Sequence, residues 1–114
     1  MTTRAEEYGL NQDIVSSLRT ILERKREVME AIIFGSRAKG NYRLGSDIDL
    51  AVKGKKVNFE TIIAIKNEAE KLGLLYKIDI VDLAEISDHE VKEHIHRVGK
   101  VFWKGSGVLE DTVK

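Results

Sequence analysis

The residues best placed to do chemistry are two aspartates, Asp47 and Asp49, separated by Ile48. They open an apolar run that continues to Val52 and is predicted to be a β-strand. Because side chains alternate between the two faces of a strand, both carboxylates point the same way. Two carboxylates on one face repel each other unless a cation lies between them. The pair therefore predicts a metal site that could hold two Mg²⁺ ions, although an Asp-x-Asp pattern alone is also typical of a solvated strand start.

Asp79 is the candidate third acid of the same site. It lies in a strand predicted at 74–83, and the helix predicted before it implies that this strand runs parallel to the one carrying Asp49. Asp79 could then join the pair, bind metal and lower the cost of deprotonating an attacking hydroxyl group. Asp82 is the rival for this role, but it points to the opposite face of the strand, which favours Asp79.

A loop rich in glycine and cations precedes the aspartates. It follows an apolar strand predicted at 30–35 and runs over residues 36–46. A loop this long inside a compact domain is often functional. A P-loop is excluded because Asn41 and Tyr42 stand where a lysine and a hydroxyl residue are needed. A plain turn would also explain the glycines. Next to the acids, however, the loop could hold a triphosphate by close backbone approach, a hydroxyl donor and positive charge. The residues concerned are Gly35, Ser36, Arg37 and Lys39, with Arg43 a weaker candidate.

Hydrophobic periodicity predicts the elements that position these residues. They are a helix from residue 11 or 13 to 27, strands at 30–35 and 47–53, a helix from 58 to 72, a strand at 74–83, a helix from 87 to 98 and a short edge strand at 101–103. Asn58 is expected to cap the second helix, with Phe59 facing inward, and Ser87 to open the third through a capping box with Glu90. Gly73 is expected at positive φ. The order predicts an α/β or α+β fold, a mixed sheet of about four strands flanked by about three helices.

Composition and charge exclude several classes of protein. The 114 residues, 42% hydrophobic and 33% charged, fit one folded domain over 1–114, with a flexible tail expected at 105–114. Zero net charge gives no general basis for binding nucleic acid, and the absence of cysteine excludes disulfides and thiolate metal sites. His94 and His96 do not share a face of their predicted helix, which argues against a histidine metal site. Without an apolar span or signal peptide, we expect a cytoplasmic protein with no membrane partner.

The catalytic motifs resemble those of a known superfamily. Gly35-Ser36, ten intervening residues, Asp47-x-Asp49 and a later Asp79 between two isoleucines resemble the signature of the polymerase-β-type nucleotidyltransferases. The short length resembles their minimal nucleotidyltransferase (MNT) branch, and the motif core covers 30–103. The resemblance implies transfer of a nucleoside monophosphate from an NTP, usually ATP, to a hydroxyl, with release of pyrophosphate. It implies that Gly35 and Ser36 hold the triphosphate, that Asp47 and Asp49 bind Mg²⁺, and that Asp79 is the third acid.

The same resemblance implies a protein partner. Small chains of this kind are similar to the antitoxin half of HEPN/MNT toxin–antitoxin pairs, in which the HEPN protein is an RNase and the MNT partner can AMPylate it on tyrosine. We therefore expect the acceptor hydroxyl to arrive on a HEPN-type toxin. Two alternatives remain open: a binding module that neutralises a toxin by contact alone, and nucleotidyl transfer to a small molecule or an RNA end. The last would need an acceptor pocket, which a homo-oligomer could build.

Overall fold

The structure, a computed structural model, describes residues 6–105. Its main feature is a four-stranded sheet in the order β5-β4-β3-β6, preceded by a separate two-stranded hairpin of β1 and β2. The strands are β1 Glu6–Glu7, β2 Leu10–Asn11, β3 Glu30–Phe34, β4 Ile48–Lys53, β5 Ile78–Asp82 and β6 Lys100–Lys104. The helices are α1 Gln12–Glu23, α2 Gly35–Lys39, α3 Phe59–Glu70 and α4 His89–Val98, with a 3-10 turn at Leu83–Glu85.

The sheet is mixed, as the element order predicted. β3 pairs antiparallel with both β4 and β6, whereas β4 pairs parallel with β5. The parallel pair follows from α3, because a helix that crosses over the sheet returns the chain in the same direction. β3 lies in the interior of the sheet, and the predicted edge position of β6 is confirmed. The short helix α2 was not predicted from the sequence pattern.

Burial alternates along the strands and separates the two faces of the sheet. In β4, Ile48, Leu50 and Val52 are fully buried in the main core, which also contains side chains of α1 and α3. Asp49 lies between them in sequence and is only half-buried. Because successive side chains point to opposite faces, Asp49 belongs to the face away from α1 and α3. The core thus fixes which face can carry the site.

Helix α4 covers part of that second face. It lies against β3, with Ile95 buried. Gly99, which ends the helix, lies so close to β3 that a Cβ there would overlap the side chain of Ile32. The ring of His94 stands edge-on to that of Phe34, with 6.3 Å between their centroids. The second face therefore has an apolar patch on β3 beside the carboxylates of the neighbouring strands.

Several element boundaries differ from the sequence-based expectation. Helix α1 ends at Glu23 rather than 27, and β5 begins at Ile78 because residues 71–76 are taken up by turns and bends. Phe59 is 76% exposed, not inward-facing, because it is the first residue of α3 and points away from the core. One of the two predicted caps is confirmed and the other is wrong. Asn58 caps α3 as predicted, and it forms a capping box with Thr61. Helix α4 is capped by Asp88 rather than Ser87.

The chain before α1 forms more structure than expected. No element was predicted before residue 11, but β1 and β2 form a hairpin with its turn at Tyr8 and Gly9. At the other end, the tail was predicted at 105–114; Gly105 donates a hydrogen bond to the carbonyl of Met29, and the rest of that tail lies outside the described residues. Gly73 has the predicted positive φ, 68°. Within 6–105, the helices are too short or too polar to cross a membrane.

Candidate active site

Two of the three predicted acids face each other across the parallel strands. Asp49 of β4 and Asp79 of β5 are register partners, so their side chains leave the same face of the sheet at the same level. Asp47 precedes β4, outside any regular element, and is exposed. Its charge contributes to the raised pKa of Asp49, so the two carboxylates lie near each other. The three carboxylates therefore lie at the end of the sheet where β4 and β5 begin.

The electrostatics of Asp49 reflect this crowding. Burial, followed by the charges of Asp79 and Asp47, raises its pKa from 3.8 to about 6. The positive charge of Lys77 acts in the opposite direction but does not cancel these effects. Burial and neighbouring negative charges both favour the neutral form of a carboxyl group, so a raised pKa is expected in a crowded acidic cluster.

The donor set of this cluster fits Mg²⁺. Three carboxylates on one face supply the oxygen ligands that Mg²⁺ prefers, with positions left for water or phosphate. Among residues 6–105, no group of three or more His, Cys, Asp or Glu side chains forms a complete metal site, so water or phosphate oxygens would supply the remaining ligands. A bound cation would remove the repulsion that raises the pKa of Asp49, which gives the cluster an electrostatic reason to close around it.

Gly35 brings the backbone of the loop against the acids. It lies at the start of α2 with φ of 76°, and a Cβ at this position would overlap the carboxylate of Asp49. Only glycine combines that backbone conformation with so close an approach. The preceding residue, Phe34, is the N-cap, and its hydrocarbon side chain cannot accept from the amides of the first turn. Gly35 and Ser36 therefore present backbone N–H groups beside Asp49.

Arg37 does not lie where the sequence suggested. It was predicted to face a phosphate, but only 2% of its surface is exposed. Its guanidinium donates to the carbonyl of Ser46 from Nε at 3.2 Å and from Nη2 at 2.9 Å, and to the carbonyl of Tyr8 from Nη1 at 2.9 Å. A buried guanidinium bonded to main-chain carbonyls is not available to a ligand in solution, so Arg37 does not contact a phosphate from this position. Lys39 and Arg43 are exposed instead.

The rival third acid, Asp82, has another function in the structure. It is the last residue of β5, where it pairs with Val52, and its carboxylate accepts a hydrogen bond of 3.1 Å from the amide of Ala84. It therefore caps the 3-10 turn and lies three register positions from Asp79. Strand alternation had favoured Asp79, and the structure pairs that residue with Asp49.

Sequence reasoning missed two aromatic contacts of the site. Phe34 is the register partner of Asp49 on the strand's other side, and His94 of α4 packs edge-on against it. The Phe34 side chain therefore lies beside Asp49, with the His94 ring against it. In the sequence, Phe34 is only the end of an apolar run, and a pairing between β3 and α4 could not be inferred from the local pattern.

Comparison with known proteins identifies the family of this chain. Residues 16–106 match the family model described as Polymerase beta, Nucleotidyltransferase. No curated protein matches significantly.

Solved structures show the same fold at low sequence identity. A toxin–antitoxin with AMP-PNP contains a chain that is 23% identical, with a TM-score of 0.63 over 89% of this chain and 79% of that one. A chain of the MntA-HepT toxin–antitoxin is 20% identical, with a TM-score of 0.61 over 89% and 78%. A complex of tri-AMPylated Shewanella oneidensis HEPN toxin with MNT antitoxin gives 20% identity and a TM-score of 0.61 over 88% and 76%. Since the family model spans both the glycine loop and the three acids, this chain belongs to the polymerase beta nucleotidyltransferase family.

Proposed function

We propose that this chain transfers AMP from ATP to a hydroxyl group of a partner protein, with Mg²⁺ as cofactor, and that the partner is a HEPN-type toxin that it neutralises as an antitoxin. The observation that carries the proposal is the register pairing of Asp49 with Asp79, on the face where Gly35 approaches. That arrangement combines acids for metal with backbone donors for phosphate. Both are needed for phosphoryl-type transfer and neither alone implies it.

The reaction follows from the positions of the acids. The acceptor oxygen attacks the α-phosphorus of ATP, its bond to phosphorus forms, the bond to the oxygen bridging the α- and β-phosphates breaks, and pyrophosphate leaves. Asp47 and Asp49 would hold Mg²⁺, as one or two ions, and the metal would neutralise the phosphate charge. Asp79, the register partner of Asp49, would be the third ligand and would receive the proton that the acceptor hydroxyl loses.

The phosphate side of the site uses the loop. The N–H groups of Gly35 and Ser36 and the Ser36 hydroxyl can donate to the triphosphate. Lys39, exposed on the same short helix, is a candidate cation for the phosphates, whereas Arg37, assigned to them from the sequence, is buried. Catalysis would consist chiefly of positioning and charge stabilisation.

A protein acceptor is supported by similar complexes. One contains a HEPN toxin that is tri-AMPylated and bound to an MNT antitoxin, and another contains AMP-PNP. Zero net charge also gives this chain little general attraction for RNA. These points favour transfer to a protein over transfer to an RNA end.

The test is label transfer from ATP carrying the label on its α-phosphate. The chain is incubated with Mg²⁺ and the product of the gene next to its own, as the candidate acceptor, and the mixture is separated into protein, RNA and small molecules. We expect label on the protein, lost in the Asp47→Asn, Asp49→Asn double variant and retained in Asp82→Asn. No transfer by the unaltered chain, or equal transfer by the double variant, would overturn the enzyme proposal. Label in the RNA or small-molecule fraction would overturn the acceptor.

A parallel toxicity assay separates catalysis from neutralisation by contact. The double variant should fail to protect cells that express the HEPN protein. Full protection by that variant, with no label transferred, would instead identify a binding module.

A further inference from the structure

We propose that Arg37 is a positioning residue that holds Asp47 in place for metal binding. The proposal rests on the metal-binding role of Asp47 given above. Arg37 touches neither metal nor phosphate in it. Its two hydrogen bonds to the Ser46 carbonyl, from Nε and Nη2, fix the residue that immediately precedes Asp47. Because Asp47 lies before β4 begins, the sheet ladder does not hold it directly.

The other side of the guanidinium is fixed to a different part of the chain. Nη1 donates to the carbonyl of Tyr8 in the hairpin turn between β1 and β2. The hairpin leads directly into α1, whose side chains belong to the main core. Through Arg37, the loop that carries Asp47 is therefore tied to the packed body of the domain.

Two tyrosine rings enclose the same guanidinium. Its Cζ lies 5.3 Å from the centroid of Tyr42 and 4.9 Å from that of Tyr76. Tyr42 belongs to the loop before Asp47, and Tyr76 to the segment that leads into β5 and Asp79. Cation–π contacts gain strength when the cation is desolvated, as it is here. The side chain thus joins the segments that carry Asp47 and Asp79.

The packing around Arg37 leaves little room for movement. A Cβ on Gly9 would meet the ring of Tyr42 and come within 2.9 Å of Nη1 of Arg37. Next to this cluster, the amide of Ile48 donates to the carbonyl of Lys77 at 2.9 Å, which joins the two approaches to the sheet. The geometry is that of a fixed support behind the acids.

A positioning role and a phosphate-binding role predict different kinetics. A phosphate ligand would raise the KM for ATP when it is removed. A residue that positions Asp47 would instead raise the Mg²⁺ concentration needed for half-maximal activity and lower kcat, with the KM for ATP little changed. Loss of an outer support of this kind typically costs about 10–100-fold in metal affinity or activity. Removal of a residue needed only for folding would lower the melting temperature and leave the KM for ATP and the half-saturating Mg²⁺ concentration unchanged.

The experiment compares Arg37→Met and Arg37→Lys with Arg26→Met, an exposed arginine that precedes β3 and lies outside the site. In the full chain with its HEPN partner, we expect Arg37→Met to raise the half-saturating Mg²⁺ concentration by about tenfold or more. Arg37→Lys should recover only part of the loss, because lysine cannot donate the paired bonds to Ser46. Arg26→Met should leave the Mg²⁺ dependence unchanged. Unchanged Mg²⁺ dependence in folded Arg37→Met, or a raised KM for ATP alone, would overturn the proposal.

Two further measurements keep the outcome decisive. If Arg37→Met does not fold, Tyr42→Leu removes one ring while retaining the guanidinium, and should shift the Mg²⁺ dependence in the same direction by a smaller factor, whereas Tyr42→Phe should not. Direct titration with Mn²⁺, followed by its paramagnetic resonance signal, reports metal affinity without any transfer. If the unaltered chain transfers no label, the proposed function fails, but weaker Mn²⁺ binding by Arg37→Lys would still support the role of Arg37, and equal binding would still refute it.

Discussion

Asp49 and Asp79 lie directly opposite each other on adjacent parallel strands, because they are partners in the strand register. In most sheets such a pair would be avoided, because like charges directly opposite each other are destabilising. Here burial and repulsion keep the pKa of Asp49 at about 6. The fold therefore maintains an unfavourable carboxylate arrangement that a bound cation would relieve.

The first prediction concerns the pH dependence of stability in the metal-free protein. The pKa of Asp49 is raised from 3.8 to about 6 in the folded state, so between these values the folded chain holds more protons than the unfolded chain. Its contribution to stability is thus favourable below about pH 4 and is lost as the pH rises through 6. Asp49→Asn should stabilise the protein at pH 8 by on the order of 1 kcal/mol, an amount reduced for solvent screening of a half-exposed group. Urea unfolding in EDTA at pH 4 and pH 8 measures this.

Asp82→Asn is the control for that measurement. Asp82 caps a 3-10 turn, and asparagine caps about as well as aspartate, so its free energy of unfolding should be nearly unchanged at both pH values. If Asp49→Asn is no more stable than the unaltered chain at pH 8, the crowding inferred at Asp49 is wrong.

The second prediction separates the two candidate third acids by activity. Asp79→Asn should reduce the rate of AMP transfer by on the order of 100-fold or more, because it removes a group that binds metal and receives a proton. Asp82→Asn should leave the rate within about threefold, the range expected for a surface change away from the reacting atoms. Initial rates at saturating ATP and Mg²⁺ measure both variants. A larger loss in Asp82→Asn than in Asp79→Asn would reverse the assignment.

The acid cluster could be predicted because its determinants are local. The alternation of Asp47, Ile48 and Asp49 sets a face, and the helix that follows β4 forces a parallel neighbour. Asp79 alternates with Ile78 and Ile80, which places it on the face of that neighbouring strand opposite the two isoleucines. Its direct pairing with Asp49 depends on the length of the connection and could only be seen in the structure.

Arg37 could not be assigned from the sequence, because its surroundings come from distant segments. A cation after Gly35-Ser36 is an ordinary candidate for phosphate binding. Of the partners that bury it, Tyr8 lies 29 residues before it in the chain and Tyr76 lies well after it. Tertiary contacts of this kind leave no periodic pattern. The exposure of Phe59 has a similar cause, since periodicity gives a face of a helix but not where that face ends.

The third prediction tests the cap of α4. The carboxylate of Asp88 accepts from the amides of Glu90 at 2.9 Å and Val91 at 3.4 Å. Asp88→Ala should therefore lower the free energy of unfolding by about 1 kcal/mol. Ser87→Ala, which alters the residue first expected to cap the helix, should change it by less than about 0.5 kcal/mol. Thermal unfolding of both variants decides between the two caps, and a greater loss in Ser87→Ala would restore the capping box.

The last prediction concerns Gly35 and is matched by a second glycine. Gly35 and Gly73 have similar φ values, 76° and 68°, so alanine at either should cost about 1–2 kcal/mol of backbone strain. Their surroundings differ, because a Cβ on Gly35 would overlap the Asp49 carboxylate, whereas one on Gly73 meets nothing within 4 Å. Gly35→Ala should therefore displace the acid and reduce AMP transfer by on the order of 100-fold, since small misplacements of catalytic groups are that costly. Gly73→Ala should lose stability to a similar extent but retain its rate. Melting curves and initial rates for the two variants measure both effects, and equal rates would mean that the approach of Gly35 to Asp49 does not matter for catalysis.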